Sequence, residues 1–288
     1  MNNTSKSSTS AYLALLFGVV CIACSAIFVK FAALPGPTSA FYRVLFAAAV
    51  AVPWWLWKRP AHLSRNAVLL TLAGGIFFAI ELVLWQVALL VTSAANATLL
   101  VNIAPVWVGL GALLVFREKL GTYFWGGLAV AFAGMVFVVS GGSKQLANFN
   151  YGDILAIGGS FFYALYLLVT QRVRAGMDTL TFLALSVISS VVVLLITCLM
   201  LGSPLSGFST QAWMSLAALG LFSHLSGYLA INYALGHLRA SSVSVTLLGQ
   251  PVITALLSIP LLGEWLSVQQ IIGGVIVLVG VYLVNRRK

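Results

Sequence analysis

Residues 94–116 read AANATLLVNIAPVWVGLGALLVF, a run without a charged side chain. About twenty apolar residues in an α-helix cross the hydrocarbon core of a bilayer, which is about 30 Å thick. The whole chain has the same character, since 61% of its 288 residues are hydrophobic and 7% are charged. A soluble domain carries about 25% charged residues. The sequence therefore excludes soluble enzymes, nucleic-acid binders and disordered proteins.

Ten runs of this kind follow one another along the chain. They are continuous rather than alternating, which indicates helices and not the strands of a membrane barrel. The first is too long for the core of a signal peptide, so we expect it to be a retained helix. The predicted spans are 11–31, 38–57, 67–91, 94–116, 122–141, 152–171, 178–201, 211–236, 241–261 and 267–285.

An internal repeat relates the two halves of the chain. A shift of 146 residues without gaps superposes four pairs of Pro, Glu and Gly positions: Pro105 on Pro251, Glu118 on Glu264, Gly127 on Gly273 and Gly134 on Gly280. The predicted repeats are residues 11–145 and 150–286. Five spans per repeat is an odd number, so the second copy enters the membrane from the opposite side. The predicted fold is an all-α integral membrane protein of ten transmembrane helices in two inverted five-helix repeats, as in many secondary transporters.

Charge in the connections predicts the orientation. With a cytoplasmic N-terminus, twelve basic residues fall inside and Lys144 alone falls outside. The twelve are Lys6, Lys58, Arg59, Arg65, Arg117, Lys119, Arg172, Arg174, Arg239, Arg286, Arg287 and Lys288. The positive-inside rule then places both termini in the cytoplasm. Topology thus explains most of the net charge of +10, and no nucleic-acid partner is expected.

Several short motifs resemble one known family. They are Phe41-Tyr42-Arg43-Val44-Leu45, Thr92-Ser93-Ala94-Ala95-Asn96-Ala97, Pro105, Arg117-Glu118-Lys119-Leu120 and Gly263-Glu264-Trp265-Leu266. In this order, with the 5+5 repeat, the chain resembles EamA-type carriers of the drug/metabolite transporter superfamily. It is similar to bacterial exporters of amino acids and related metabolites, including the YddG-like branch. The resemblance implies a bacterial-type inner-membrane location and a central cavity lined mainly by helices 1, 3, 4, 6, 8 and 9.

Glu81 is the one acidic residue deep within a predicted span. An unpaired charge at that depth costs at least about 2.5 kcal/mol, so the carboxyl group must be protonated, paired or hydrated. Phe78 and Trp85 share its helix face, and an acid beside aromatic rings suits an ammonium group. A structural pair with Arg43 is the alternative. Arg43 itself either reaches outward to the interface, pairs with a carboxylate or binds an anion.

His224 is the other titratable group in a span, and Tyr228 continues its face. Histidine can change charge near neutral pH, although a neutral, hydrogen-bonded imidazole is the plainer interpretation. The remaining candidates for substrate contact are polar or aromatic residues on the predicted lining helices: Thr98, Asn102, Tyr163, Tyr166, Ser244 and Gln250. Packing against neighbouring helices or lipid is the alternative for each of them. Pro105 and Pro251 interrupt matched helices, which predicts either gating kinks or static bends.

Catalytic and phosphate-binding motifs are missing from the sequence. We therefore expect no enzyme activity, no cofactor and no metal, with the cysteines packed as small apolar residues. The predicted function is export of amino acids, neutral and aromatic ones among them, or of related small metabolites. The proton is a candidate coupling ion. The alternatives are export of cationic drugs and an intramembrane enzyme or scaffold. Carriage of phosphorylated sugars is a further alternative, but the predicted lining helices hold too few basic residues to neutralise a phosphate.

Overall fold

The computed structural model describes residues 3–58, 63–140, 150–263 and 265–286, and the regular structure in these ranges is helical. Ten helical spans are long and apolar enough to cross a membrane. They are α1 (Thr9–Ala32), α2 (Gly36–Trp57), α3 (Arg65–Val91), α4 (Asn96–Val115), α5 (Thr122–Val139), α6 (Tyr151–Arg174), α7 (Thr179–Met200), α8 (Thr210–Leu235), α9 (Ala240–Leu262) and α10 (Val268–Asn285). Each predicted end lies within three residues of the observed one, so the predicted spans are confirmed.

Four of the spans are not continuous α-helices. The α1 span divides into Asn3–Ala23 and Ser25–Ala32, α4 into Ala94–Val101 and Ala104–Val115, and α9 into Ala240–Leu247 and Gln250–Leu262. The α8 span contains a π-helical segment, Leu219–Ser226, between Thr210–Ala218 and Gly227–Leu235. Interruptions of this kind free backbone groups from the regular hydrogen-bond pattern and recur at functional sites.

The breaks in α4 and α9 are equivalent under the 146-residue shift. Ala94–Val101 superposes on Ala240–Leu247 end to end. The breaks also share a tight backbone turn, with Ile103 N–H donating to Leu100 C=O at 3.3 Å and Gly249 N–H donating to Thr246 C=O at 3.0 Å. Both prolines stand in the first turn of the segment that follows. Proline lacks an N–H and is tolerated there, so the prolines start new segments rather than bend continuous helices.

The starts of several helices are fixed by side-chain caps. A side-chain oxygen in each accepts a hydrogen bond from the backbone N–H three residues later, as helix N-termini require. The capping residues are Ser93, Asp178, Ser209 and Ser267. At Ser267 the bond is reciprocated by Gln270, forming a capping box.

Asp178 also interacts with Arg174 at the turn between α6 and α7. Burial acts against its charged form, but hydrogen bonds from Thr181 and from the Leu180 N–H, together with the Arg174 charge, lower the net pKa of the carboxyl group. The Arg174 guanidinium donates to the carbonyl oxygens of Asn232, at 3.0 Å, and of Met177. Arg174 thus ties this turn to the C-terminal end of α8.

The described chain divides into two compact units that do not coincide with the sequence halves. Unit 1 comprises residues 1–83 and 169–238, and unit 2 comprises residues 84–168 and 239–288. Two of the three boundaries fall inside helices, α3 and α6, and the third falls between α8 and α9. Each unit therefore combines helices from both halves of the sequence. The repeats 11–145 and 150–286 remain a prediction about sequence, which this division by contact does not test.

Glycines hold α5 against α10 in unit 2. A Cβ atom on Gly127 would lie 2.9 Å from the Gly280 carbonyl oxygen, and one on Gly134 would lie 2.7 Å from that of Gly273. Residue numbers rise along α5 as they fall along α10, so the helices are antiparallel. Since Gly127 corresponds to Gly273 and Gly134 to Gly280, equivalent helices of the two halves run in opposite directions. The neighbouring Gly126 is different, because a Cβ there would meet nothing within 4 Å, so this glycine is not a helix-packing position.

Close backbone contacts also organise unit 1. A Cβ on Gly18 of α1 would lie 3.0 Å from the Gly227 carbonyl oxygen of α8. On α3, the Gly75 carbonyl accepts a hydrogen bond of 2.7 Å from the Ser190 hydroxyl of α7. Small residues at these crossings let helices approach closely where lipid supplies no hydrophobic driving force.

Candidate functional site

Three ring side chains of α3 and α8 meet inside unit 1. Phe78 lies with its ring centroid 5.3 Å from that of His224 and 5.0 Å from that of Tyr228, and the latter two rings are 4.8 Å apart. All three residues are buried. Their spacing is typical of favourable edge-to-face or tilted aromatic pairs. The structure thus brings together Phe78, His224 and Tyr228, which the sequence had proposed as substrate contacts.

Two charged residues belong to the same region of unit 1. The Arg43 guanidinium of α2 lies over the Tyr228 ring, with Cζ 5.8 Å from the centroid. Glu81 of α3 is buried, one turn from Phe78, and interacts electrostatically with Arg43. Arg43 Nε is buried without a hydrogen-bond partner among the described residues. The interaction that the structure gives between Glu81 and Arg43 is electrostatic.

The π-helical segment of α8 sets the position of His224. A π-turn inserts an extra residue into the helix and rotates the side chains that follow. Within it, the Ser226 hydroxyl donates to the Leu221 carbonyl at 3.0 Å, which occupies one backbone acceptor of the widened turn. The Ser223 hydroxyl and His224 Nδ1 are buried without a hydrogen-bond partner. Hydropathy carries no signal for this segment, and the sequence analysis missed it.

In unit 2, two of the polar candidates of α4 and α9 bond within their own helices. The Asn102 side-chain amide donates to the Thr98 carbonyl at 2.7 Å, one turn back at the helix break. Likewise, the Ser244 hydroxyl donates to the Ser241 carbonyl at 3.0 Å. Gln250 is the first residue after the matched break in α9. These bonds satisfy backbone acceptors, and a role in substrate contact stays a prediction for these residues.

Aromatic candidates of unit 2 lie on α3 and α6. Tyr163 and Tyr166 stack with centroids 6.2 Å apart, and Trp85 packs against a small apolar cluster of alanines. Trp85 Nε1 is buried without a partner. By contrast, Trp107 of α4, which the sequence analysis did not select, donates from Nε1 to the Ser160 hydroxyl at 2.9 Å.

The acidic residues near the turns accept hydrogen bonds from hydroxyl groups elsewhere in the chain. Glu118, after α4, accepts a hydrogen bond of 2.9 Å from the Ser241 hydroxyl near the start of α9, as expected for a loop-pairing residue. Its repeat equivalent, Glu264, lies outside the described residues. Asp153 accepts a bond of 2.7 Å from the Thr92 hydroxyl. Within the described ranges, no group of three or more His, Cys, Asp or Glu residues could hold a metal ion.

Comparison with known proteins gives the family. The model of the EamA-like transporter family matches this chain twice, over residues 9–140 and 150–286. The chain belongs to the EamA-like transporter family. This EamA-family protein is accordingly a transporter and not an enzyme, and its ten spans make it a multi-pass membrane protein.

Individual relatives of this EamA-family transporter cover most of its length. An uncharacterized transporter of Archaeoglobus fulgidus is 29% identical over 86% of this chain and 87% of its own. The uncharacterized transporter YyaM of Bacillus subtilis is 26% identical over 85% and 82%. A probable terminal-alkyne amino-acid exporter of Streptantibioticus cattleyicolor is 26% identical over 80% and 76%. A solved crystal structure shares the fold, with a TM-score of 0.81 over 96% of both chains at 17% identity.

Proposed function

We propose that this EamA-family transporter exports amino acids, including neutral and aromatic ones, or related small metabolites across a bacterial-type inner membrane. The observation that carries the proposal is the buried group of Phe78, Glu81, His224 and Tyr228 with Arg43 beside it in unit 1. It combines both signs of charge with aromatic surface, as a small zwitterion requires. One relative is named as a probable amino-acid exporter, which supports the same substrate class.

Charged groups and aromatic rings would together bind the substrate. An ammonium group would be attracted by the Glu81 carboxylate and by the faces of Phe78 and Tyr228. An apolar side chain would pack on the same rings. The further contacts that we propose on α3, α4, α6 and α9 are Trp85, Thr98, Asn102, Tyr163, Tyr166, Ser244 and Gln250.

Alternating access is the proposed mechanism. The equivalent breaks before Pro105 and Pro251 lie in matched helices of the two repeats, where discontinuous helices of transporters commonly move. Antiparallel packing of the equivalent helices α5 and α10 supports the inverted arrangement of the repeats. The prolines would then act as gating points, and opening toward one side of the membrane would exchange the packing of the two repeats.

The proposed orientation has both termini in the cytoplasm. Basic residues at the ends of α2, α4, α6 and α8 would face the same side, together with Arg286 after α10, as the positive-inside rule requires. The proton is the coupling ion that we propose, with Glu81 and His224 as the groups that would carry it.

Export of cationic compounds is the second candidate function, because Glu81 is an acidic residue buried beside aromatic rings. The variant Glu81→Gln tests this candidate. Glu81→Gln should abolish resistance conferred against cationic compounds, whereas it should spare the flux of substrates that carry no positive charge.

Counterflow in proteoliposomes tests the proposed function. Purified protein is reconstituted and loaded with each of a panel of unlabelled amino acids, and uptake of the labelled form is followed at two pH values. We expect accumulation above protein-free liposomes for at least one neutral amino acid. The absence of flux for every member contradicts the amino-acid assignment, and flux that ignores an imposed proton gradient removes Glu81 and His224 as coupling groups.

A further inference from the structure

Four buried polar atoms on α2 and α8 of unit 1 have no hydrogen-bond partner within the part of the chain that the structure describes. They are the hydroxyls of Ser39 on α2 and Ser223 on α8, Arg43 Nε, and His224 Nδ1. Buried polar groups in native proteins are nearly always hydrogen-bonded to protein, water or ligand. Unpartnered polar atoms on two contacting helices therefore indicate that a ligand or water completes them.

Two of these residues lie on α2, and the other two lie on the α8 segment that packs against it. Ser39 and Arg43 are four residues apart on α2, so they share a face of that helix. The α8 residue opposite them is Gly220, where a Cβ would lie 3.0 Å from the Arg43 carbonyl oxygen and 2.5 Å from the Phe46 Cβ. Ser223 follows Gly220 within the same π-helical segment. Ser39 is thus one helical turn before Arg43, and Ser223 lies three residues after the glycine that contacts the Arg43 backbone.

A second arginine shows what a structural role looks like in this unit. Arg174 donates to two backbone carbonyls, those of Asn232 and Met177, and lies beside the carboxylate of Asp178. Arg43 has no such acceptors among the described residues. Its contacts are with the face of Tyr228 and, through space, with Glu81. The planar guanidinium therefore lies over a ring while its Nε–H has no partner.

We propose that Arg43, with the Ser39 and Ser223 hydroxyls, is the carboxylate-binding subsite of this transporter. A guanidinium donates two parallel hydrogen bonds to a carboxylate, and hydroxyl donors complete the coordination of its oxygens. Glu81, one helix away, then receives the ammonium group of the same molecule. The substrate class is a zwitterionic α-amino acid rather than an amine. This inference rests on the proposed function and assigns its anionic contact.

Equilibrium binding to the purified, detergent-solubilised transporter tests the subsite. The labelled probe is L-phenylalanine, and the competitors are 3-phenylpropionate, which lacks the ammonium group, and 2-phenylethylamine, which lacks the carboxylate. We expect Arg43→Gln to weaken the binding of 3-phenylpropionate at least tenfold, since a charged hydrogen-bonding partner is lost. The same substitution should change the affinity for 2-phenylethylamine by less than about twofold. Labelled 2-phenylethylamine serves as the probe where the variant no longer binds L-phenylalanine.

Matched variants separate recognition from folding. Glu81→Gln should have the opposite effect, weakening the binding of 2-phenylethylamine and leaving the affinity for 3-phenylpropionate unchanged. Arg43→Lys, which keeps the charge but loses the planar fork, should retain part of the affinity and also tests the subsite if Arg43→Gln fails to fold. Arg172→Gln, at an exposed arginine of α6, should change the affinity for neither competitor.

Two results overturn the inference. One is an equal loss of affinity for both competitors in folded Arg43→Gln and Arg43→Lys protein, which would make Arg43 a structural residue. The other is unchanged affinity for 3-phenylpropionate in either variant. The proposed function fails in a different way, because wild-type protein would then bind none of the three probes and show no counterflow. If the wild-type protein binds 2-phenylethylamine but neither of the other two probes, export of cationic compounds would replace amino-acid export as the proposed function.

Discussion

The two units differ in where their described buried polar atoms lack partners. In unit 2, Trp107 donates to Ser160 and Ser241 donates to Glu118, although Trp85 Nε1 has no partner. In unit 1, the Ser223 hydroxyl, His224 Nδ1 and Arg43 Nε have none. Satisfied polar networks make packing rigid and specific, whereas orphaned donors are costly unless a ligand or water completes them. The difference marks the Phe78 region of unit 1 as a place where a ligand would complete unpartnered polar atoms.

The largest effect that bears on this contrast is expected at the glycine contact of unit 2. Gly280→Ala places a Cβ 2.6 Å from the Gly127 carbonyl oxygen and against the Ala131 backbone. Backbone cannot yield as a side chain can, so we expect a loss of about 1–3 kcal/mol in stability. The measurement is the thermal midpoint and the monodisperse fraction of a fluorescent fusion in detergent.

Gly126→Ala is the matched control for that substitution. A Cβ at Gly126 meets nothing within 4 Å, and alanine favours the helix over glycine by up to about 1 kcal/mol. The control should be as stable as the wild type or more so. Equal losses in both variants would contradict the packing role assigned to Gly280.

The next effect concerns movement rather than stability. Pro105→Ala combined with Pro251→Ala restores an N–H at each matched break and lets the helices become continuous. We expect at least tenfold slower counterflow, corresponding to about 1.4 kcal/mol in the barrier, with unchanged thermal midpoint. Pro260→Ala, inside the second segment of α9, is the control and should leave the flux rate unchanged. Unchanged flux in the double variant would make both breaks static.

A smaller effect is expected from the rings of unit 1. Tyr228→Ala removes the surface between Phe78 and Arg43, and we expect roughly a tenfold rise in KM from the loss of about 1.4 kcal/mol of contact. Tyr228→Phe keeps the ring and should stay within about twofold. Trp107→Phe in unit 2 should leave KM unchanged, and a rise there would remove the contrast between the units.

The smallest effect is expected at the Glu118 contact. Ser241→Ala removes the hydroxyl that donates to Glu118, and we expect a loss of about 0.5–1.5 kcal/mol in stability without a change in KM. Thermal unfolding and counterflow on the same preparation measure both. A changed KM at unchanged stability would contradict a purely structural role for this pair.

Much of the fold follows from the sequence because its causes are local. Span ends follow from hydropathy and from charged or capping residues, and the break in α4 follows from Pro105, which lacks a backbone donor. The repeat carries that prediction to Pro251. Packing contacts are less predictable, since Gly126 and Gly127 have the same local sequence signals and only one of them meets a helix.

The candidate site was predictable in part. A lone acid among apolar residues is visible in sequence, and its spacing places Phe78 on the same face. The position of His224 depends on the π-helical segment, which packs against α2 and leaves no periodic signal in the sequence. Arg43 could be recognised as unusual, but its lack of acceptors and its place over Tyr228 required coordinates.

The glycine register between α5 and α10 has one more consequence. The contact of Gly127 with Gly280 and that of Gly134 with Gly273 are the same contact seen from either partner. Such a surface is self-complementary, as in an isologous dimer. A separately expressed N-terminal half, inserted both ways in one bilayer, would present the geometry needed for a dual-topology homodimer, which is the arrangement that gene duplication and fusion would then make permanent.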